Sequence, residues 1–335
     1  LRIPARQWTG FGLKYSFQFC LGNIVYSYIE TISTWLLDSD PSIRWQVLRD
    51  LLDAPADIVT EEQHKIAMDG WGARLLSYQE ADGRWAGQLY NHKWLSTTYT
   101  LLLLRQMGLQ PGNLQAQRAC QALLEGGYRA NGGICFAKTV DTIDHGVAGM
   151  VLSLLAYFGY PDERVHKIQD YLLAQQLPDG RWELEPGSAQ LKYTFAATLQ
   201  VLEGLHLYQE RYPERSDQAA AAQARGREFL LMHRLFQDVG AGRVIDPKMT
   251  LFSFPPRWYY DVLTALDTFQ ACRAERDPRL QDAIALLKSK QTRDGTWKLQ
   301  NRHAGKTYFE MEAVGEPSRW NTLRALRVLR WWEGR

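Results

Sequence analysis

One arrangement returns six times along this chain: a cation, an aromatic residue, then an apolar run of helical length. The copies begin at Arg44-Trp45, Lys93-Trp94, Asp144-His145, Lys192-Tyr193, Arg257-Trp258 and Arg319-Trp320, and the third replaces the cation with an acid. Their starts lie 49, 51, 48, 65 and 62 residues apart. A period of that size is the mark of stacked supersecondary units that bury a shared core. It decides the architecture before any single residue is weighed.

The runs after the pairs, such as YTLLLLRQM, VAGMVLSLLAYF and FAATLQVLEGLHLY, are apolar on nearly all sides, as helices covered from both sides must be. The helices between them, over 112–125, 162–176, 217–235 and 278–290, are amphipathic and suit an outer layer. Six buried helices alternating with six half-exposed ones predict an all-α fold, a single α/α toroid of six inner and six outer helices. The toroid is expected over residues 20–335, with 1–19 a leader of uncertain order. Ser42, after the turn DSDPS, reads as the N-cap of the first inner helix.

A seven-residue phrase punctuates the repeat. It occurs as Gln79…Asp82-Gly83-Arg84-Trp85, as Gln176…Asp179-Gly180-Arg181-Trp182 and as Gln291…Asp294-Gly295-Thr296-Trp297. Asp-Gly marks a tight turn between an outer helix and the next inner one. Worn copies fall near Asn131-Gly132-Gly133 and Gly240-Ala241-Gly242.

These phrases resemble the QW motif of the terpene cyclase and protein prenyltransferase superfamily, the squalene–hopene-cyclase-like repeats, over about residues 40–333. The resemblance implies that Gln and Trp tie the end of an outer helix to the following turn. It also implies an isoprenoid-handling enzyme, in the lyase, isomerase or transferase classes. A single toroid looks more like a prenyltransferase β-type subunit or one cyclase domain than a two-domain triterpene cyclase. The DxDD acid of class II cyclases is absent, and the nearest stretch is Asp141-Thr142-Ile143-Asp144-His145. The candidate acids are therefore Asp144 and Asp141, with His145 to tune or reprotonate them. The competing reading makes either Asp a helix cap. The zinc triad of protein prenyltransferases is also missing, so no metal site is expected. Zinc is not anticipated, and Mg²⁺ enters only with a diphosphate substrate.

If the inner helices run the same way, Arg44, Lys93, Lys192, Arg257 and Arg319 crown one mouth, reinforced by helix dipoles. Such a crown would draw a diphosphate, carboxylate or acidic sugar. Beneath it Trp94, Tyr99, Tyr193, Trp258, Tyr260 and Trp320, with Trp45 and Tyr259, would line an apolar cup that holds a prenyl chain or shelters a carbocation. The structural alternative stacks each cation on its own aromatic or pairs it with a loop acid such as Glu310, Glu312 or Asp261. The long loops 243–257 and 298–317 are expected at the rim of the same mouth.

The net charge of +2 offers no global field for nucleic acid. No 18-residue apolar segment is present, and four scattered cysteines with no CxxC pair suit a reducing compartment. A cytoplasmic protein follows, with peripheral membrane contact and oligomeric state left open. Two rival functions stand beside the isoprenoid enzyme. One is a non-catalytic toroid that binds a lipid, an acidic ligand or a partner protein. The other is a carbohydrate-active enzyme, kept alive by Tyr259, Tyr260, Asp261 and His145. A deep closed cavity favours the isoprenoid, an open groove the sugar, and a filled cavity the scaffold.

Overall fold

The computed structural model describes residues 31–137, 142–184, 187 and 190–334. The expected leader lies outside them, as do Asp141 and most of the apolar stretch at 20–37. The fold is all-α, and among the described residues the one strand pairing is the two-residue antiparallel match of β1 (Trp297–Lys298) with β2 (Pro317–Ser318).

Inner helices are α1 (Pro41–Asp50), α4 (Thr97–Met107), α6 (His145–Tyr157), α8 (Leu191–Arg211), α10 (Val262–Ala271) and α12 (Arg319–Glu333). Between them run α2 (Ala56–His64) with α3 (Gly70–Leu76), then α5 (Leu114–Gly127), α7 (Arg164–Ala174), α9 (Ser216–Met232) and α11 (Gln281–Ser289). Burial follows the sequence patterns. Along α6 every residue from His145 to Ala156 is buried, whereas α11 buries only Ala283, Ile284 and Leu287. Residues near the C-terminal ends of α1, α4, α6, α8 and α10 share one cavity with Arg324 and Arg327 of α12, so the inner helices run in the same direction.

Ring closure is made by α12 against α1. Arg327 Nη1 donates to Gln46 Oε1 at 2.9 Å and Asp50 Oδ2 at 3.3 Å, and Arg330 Nη1 donates to the Asp50 carbonyl at 2.8 Å. Behind them Asp267 of α10 holds both Arg324 and Arg327. Elsewhere glycine sets the spacing. A Cβ on Gly149 of α6 would press on the backbone of Gln200 and Val201 in α8, and one on Gly204 would press on the Gly149 carbonyl.

The three Gln…Trp phrases share one set of turn bonds. Each Gln side-chain amide donates to the carbonyl of its own turn glycine (Gly83, Gly180, Gly295) at 2.8–3.2 Å. Gln79 and Gln176 also donate to Gln115 and Ala222, in the next outer helix. Each Trp Nε1 donates back to the preceding outer helix, to the carbonyls of Leu75, Leu172 and Leu287, at 2.7–2.8 Å. Each Trp amide donates forward to a threonine hydroxyl on the following inner helix, Thr97, Thr198 or Thr322. One phrase thus joins outer helix, turn and inner helix. The turn glycine is obligatory at Gly180, whose φ is +91° and whose added Cβ would collide with the Arg225 carbonyl. Gly180→Ala should cost about 2–3 kcal/mol of unfolding free energy in urea denaturation, from strain and displacement of α9 together.

One cap differs from expectation. Asp40, not Ser42, caps α1: its carboxylate accepts the Ser42 amide at 2.9 Å and the Trp71 amide at 2.7 Å. Pro41 takes the first helical position, where a missing N–H costs nothing, and that moves the cap one residue upstream of it.

Candidate functional site

The N-terminal mouth of the ring is crossed by two neighbouring segments. Phe252 and Gln300 bond each other through backbone and side chain, and this couples residues 251–257 to residues 297–303. From there the second loop spans the opening. Trp94 Nε1 donates to the carbonyls of His303 and Ala304, both at 3.1 Å, and Tyr308 donates to the Leu95 carbonyl at 3.1 Å. Tyr308 stacks on Tyr78 and Arg74 lies over Phe309. Both loops therefore lie at the expected mouth, but the second closes it rather than rimming it. The space left among Trp94, Thr100, Leu103, Phe254, Arg257 and His303 is about 30 Å³.

Around this closure runs a continuous arc of aromatic rings. Phe136 stacks on Tyr90, Tyr90 tilts against Tyr99, and Tyr99 meets Trp94 edge-on at 4.9 Å. Trp94 meets Tyr259 edge-on, Tyr259 stacks on Trp258 at 4.1 Å, and Trp258 touches Tyr193. Trp94, Tyr99, Tyr193 and Trp258 are thereby brought together. Tyr260 is not among them: its hydroxyl donates to the Leu235 carbonyl at 2.6 Å and its ring packs on Phe195 toward the outer layer. Trp320 lies below the arc, stacked at 4.0 Å on Phe254, and Trp45 bonds the Met107 carbonyl at the opposite end.

The crown of five cations does not form, because four of the five are committed elsewhere. Arg44 pairs with Glu62 of the outer layer at 2.5 Å and donates to the Ser39 carbonyl. Arg319 lies over Trp35 and donates to the carbonyls of Trp35 and Asp38. Lys192 stands 3.8 Å from Asp246 and over Tyr193, and Lys93 sits at the exposed surface over its own Trp94. Long flexible cations find water or the nearest acid, which costs less than burial beside four like charges.

Arg257 is the exception. Its backbone is left-handed, with φ of 61°, and this turns the side chain inward over Trp94, 5.2 Å from the ring centroid. It lines the cavity without an ion pair or hydrogen bond among the described residues. Burial pushes its pKa down to about 10, against the opposing pull of Tyr99 and Glu310.

The acids are placed as follows. Asp144 caps α6, accepting the Val147 amide at 3.0 Å, and its charge bears on the tyrosine pair. Tyr99 donates to Tyr90 at 3.0 Å; burial first, and Asp144 with it, lifts Tyr90 to about 12 and Tyr99 well above the usual phenol range. His145 does not face Asp144 across the mouth. Its buried ring lies against Tyr171 of α7, and desolvation lowers its pKa against the opposing pull of Glu183. Glu312 is spent on α12: it accepts Ser318 Oγ and the amides of Arg319 and Trp320. Burial raises its pKa in spite of those bonds.

Sequence reasoning missed Tyr90, Phe136, His303 and Ser253 as members of the mouth. Only the lengths of the 243–257 and 298–317 loops signalled that something there would matter.

A second cavity, of about 620 Å³, reaches from the opposite end of the ring to Phe254, Pro256 and Trp320 beneath the mouth, with a mixed-charge lining that includes Arg49, Arg105, Glu203, Glu210 and Asp267. Among the described residues no three His, Cys, Asp or Glu side chains converge to hold a metal, and no helix is long and apolar enough to cross a membrane.

No protein-family model matches the chain, and no curated protein does. Solved structures similar to it include a protein from Actinoplanes, 17% identical over 92% of this chain and 99% of that one, at TM-score 0.46. They also include the type II terpene cyclase MstE from Scytonema, 15% identical over 92% of this chain and 98% of that one, at TM-score 0.46. A form of MstE in complex with its substrate, geranylgeranyl dihydroxybenzoate, is 16% identical over 93% of this chain and 98% of that one, at TM-score 0.46. Likeness at this level says nothing of the reaction.

Proposed function

We propose that this chain is an isoprenoid-handling enzyme that binds a prenyl substrate by an anionic head group at the N-terminal mouth. Arg257 carries the proposal. A half-buried guanidinium that lines a cavity and has only a ring face beside it among the described residues suits an anionic head group. The arc from Tyr90 to Tyr193 supplies apolar walls whose π-faces suit a polyene or its carbocation. In the catalytic form of this reading, Asp144 or Asp141 delivers a proton to the distal alkene, leaving a carbocation that the rings shelter. The squalene–hopene-like assignment of the Gln…Trp phrases belongs to the same proposal.

A prenyl chain needs several hundred Å³, far more than the closed mouth offers. A chain that enters by this mouth therefore displaces residues 304–312, beyond His303. Tryptic cleavage at Arg302 and Lys306 should change at least severalfold in rate when ligand is added, read by mass spectrometry. An unchanged rate would separate binding from this mouth.

The direct test is thermal stabilisation by farnesyl and geranylgeranyl diphosphate, with and without Mg²⁺, beside a geranylgeranylated benzoate, inorganic pyrophosphate and an oligouronate. A ligand at 100 times its Kd adds about 2.7 kcal/mol. That gain should vanish in Arg257→Ala and survive in part in Arg257→Lys. Stabilisation by no isoprenoid, or equal stabilisation of Arg257→Ala, sinks the proposal. A second reading, a ring that binds without turnover, is favoured by the filled mouth, and binding with no product would select it.

A further inference from the structure

His303 sits at the end of a hydrogen-bonded chain that fixes where its proton is. Asp261, the buried cap of α10, uses Oδ1 on the Thr264 amide at 2.8 Å and its hydroxyl at 3.0 Å. Its Oδ2 accepts both the Ser253 amide at 3.2 Å and the Ser253 hydroxyl at 2.8 Å. A serine has one hydroxyl proton. With that proton on Asp261, Ser253 Oγ can only accept from His303 Nε2, 3.1 Å away. Nε2 therefore carries the imidazole proton and Nδ1 carries the lone pair.

Packing opposes the half-turn that would exchange the two. It is stacked on Tyr259 at 3.9 Å and 12°, while its carbonyl is held by Trp94 Nε1. Arg324 fixes Ser253 in turn through the Ser253 carbonyl at 3.1 Å. Nδ1 has no hydrogen-bond partner among the described residues, and His303 lines the same cavity as Arg257.

We propose that His303 Nδ1 is the proton acceptor of this site, with Ser253 and Asp261 as the residues that position it. The inference rests on the isoprenoid reading above. In the step it performs, a C–H bond next to a cationic carbon breaks, its electron pair becomes the new C=C bond, and the proton moves to Nδ1. The imidazolium so formed leans through Ser253 on the Asp261 carboxylate, and returns its proton to water as the olefin leaves. A head group held by Arg257 places the last cation of a tail-to-head cyclisation at the end of the cavity where His303 stands.

The surroundings suit that task. Burial, then the nearby Arg257 and Lys248, lower the His303 pKa to about 4 against the opposing pull of Asp261. The imidazole is thus neutral and ready at any physiological pH. A carbocation is so strong an acid that a weak base suffices, and a weak base is not protonated beforehand by solvent.

Two measurements on the full chain test this. Long-range ¹H–¹⁵N spectra should show His303 as the Nε2–H tautomer from about pH 6 to 8. The Nδ1–H form should gain population in Ser253→Ala and not in Ser253→Thr. An Nδ1–H tautomer in the unaltered protein overturns the proposal outright. The second probe is a geranylgeranyl dimethylammonium ion, whose N–H mimics the acidic C–H, beside the neutral hydrocarbon of the same shape. The ammonium should bind about tenfold tighter and move the Nδ1 resonance. His303→Phe should erase that preference and keep the affinity for the hydrocarbon. If both ligands bind and the preference survives His303→Phe, the acceptor role fails and the isoprenoid site stands. If neither binds while the tautomer is as expected, the isoprenoid site fails and takes the acceptor role with it.

Discussion

Asp267→Ala should lower the unfolding free energy by about 3–5 kcal/mol, among the largest losses any single charge removal can cause in this ring. Asp267 lies on α10 and receives Arg327 at 2.5 Å through both Nε and Nη2, and Arg324 Nε at 3.1 Å. Arg327 continues to Gln46 and Asp50 on α1. One carboxylate therefore compensates the buried Arg324 guanidinium and the half-buried Arg327 at the seam where the ring closes, and its removal leaves Arg327 with Asp50 and Arg324 with no ion pair among the described residues. Replacing Asp267, Arg324 and Arg327 together by Leu, Leu and Met should recover most of the loss, because the cost lies in the unpaired charges more than in the missing bonds.

The same pair sets part of the acid limb of stability. Desolvation by itself would raise the Asp267 pKa, but the charges and hydrogen bonds of Arg327 and Arg324 overcome it and hold the pKa below 3.8. A depressed carboxyl stabilises the fold above its unfolded pKa and loses that contribution as pH falls through the folded one. The gap between the unaltered protein and Asp267→Ala, measured by urea unfolding, should be full at pH 7 and close progressively below about pH 4. Glu312 and Asp40 work in the opposite sense. Burial raises both pKa values, so each takes up its proton more readily in the folded state and favours folding as the pH drops toward its unfolded pKa. A gap that stays constant down to pH 2.5 would show that Asp267 is not ionised by its arginines.

The frame of this ring was legible because its determinants are local and repeated. Gln176, Gly180, Trp182 and Thr198 are joined by bonds spanning at most sixteen residues, and the same bonds return around Trp85 and Trp297. The all-apolar pattern of residues 147–158 likewise needs no partner to be recognised as a buried helix. The mouth was legible only in part, since its contacts are long-range. Arg257 was expected in a crown of five or, in the alternative, over its own neighbour Trp258, yet it stacks on Trp94, far earlier in the chain. Arg44 and Arg319 read as siblings of Arg257, and nothing in their spacing reveals Glu62 or the Asp38 carbonyl. Ser253 and His303 meet across fifty residues through two irregular loops, where no periodicity carries information. Asp144 shows the remaining ambiguity: capping a helix and facing Tyr90 are compatible placements, and residue type alone does not choose the role.

Trp182→Ala and Trp94→Ala should both be costly, and should differ in where the cost appears. Each removes a nearly fully buried indole, which typically costs about 3–5 kcal/mol. Trp182 also bonds Leu172 at 2.7 Å and, through its amide, Thr198 at 3.0 Å, so its cavity opens between α7 and the two helices that follow. The whole ring depends on that junction, and the loss should appear as a lower urea midpoint with faster amide exchange throughout α7 to α9. Trp94 instead holds the loop that closes the mouth, through the carbonyls of His303 and Ala304. Its removal should free residues 299–312 first, so exchange should accelerate there while α7 and α9 keep their protection. Arg257 would lose its ring face and gain access to water at the same time, so Trp94→Ala should speed ligand entry and weaken the complex. Uniform exchange throughout both variants would mean that the closing loop is part of the ring's cooperative core, and that a ligand cannot enter by displacing it.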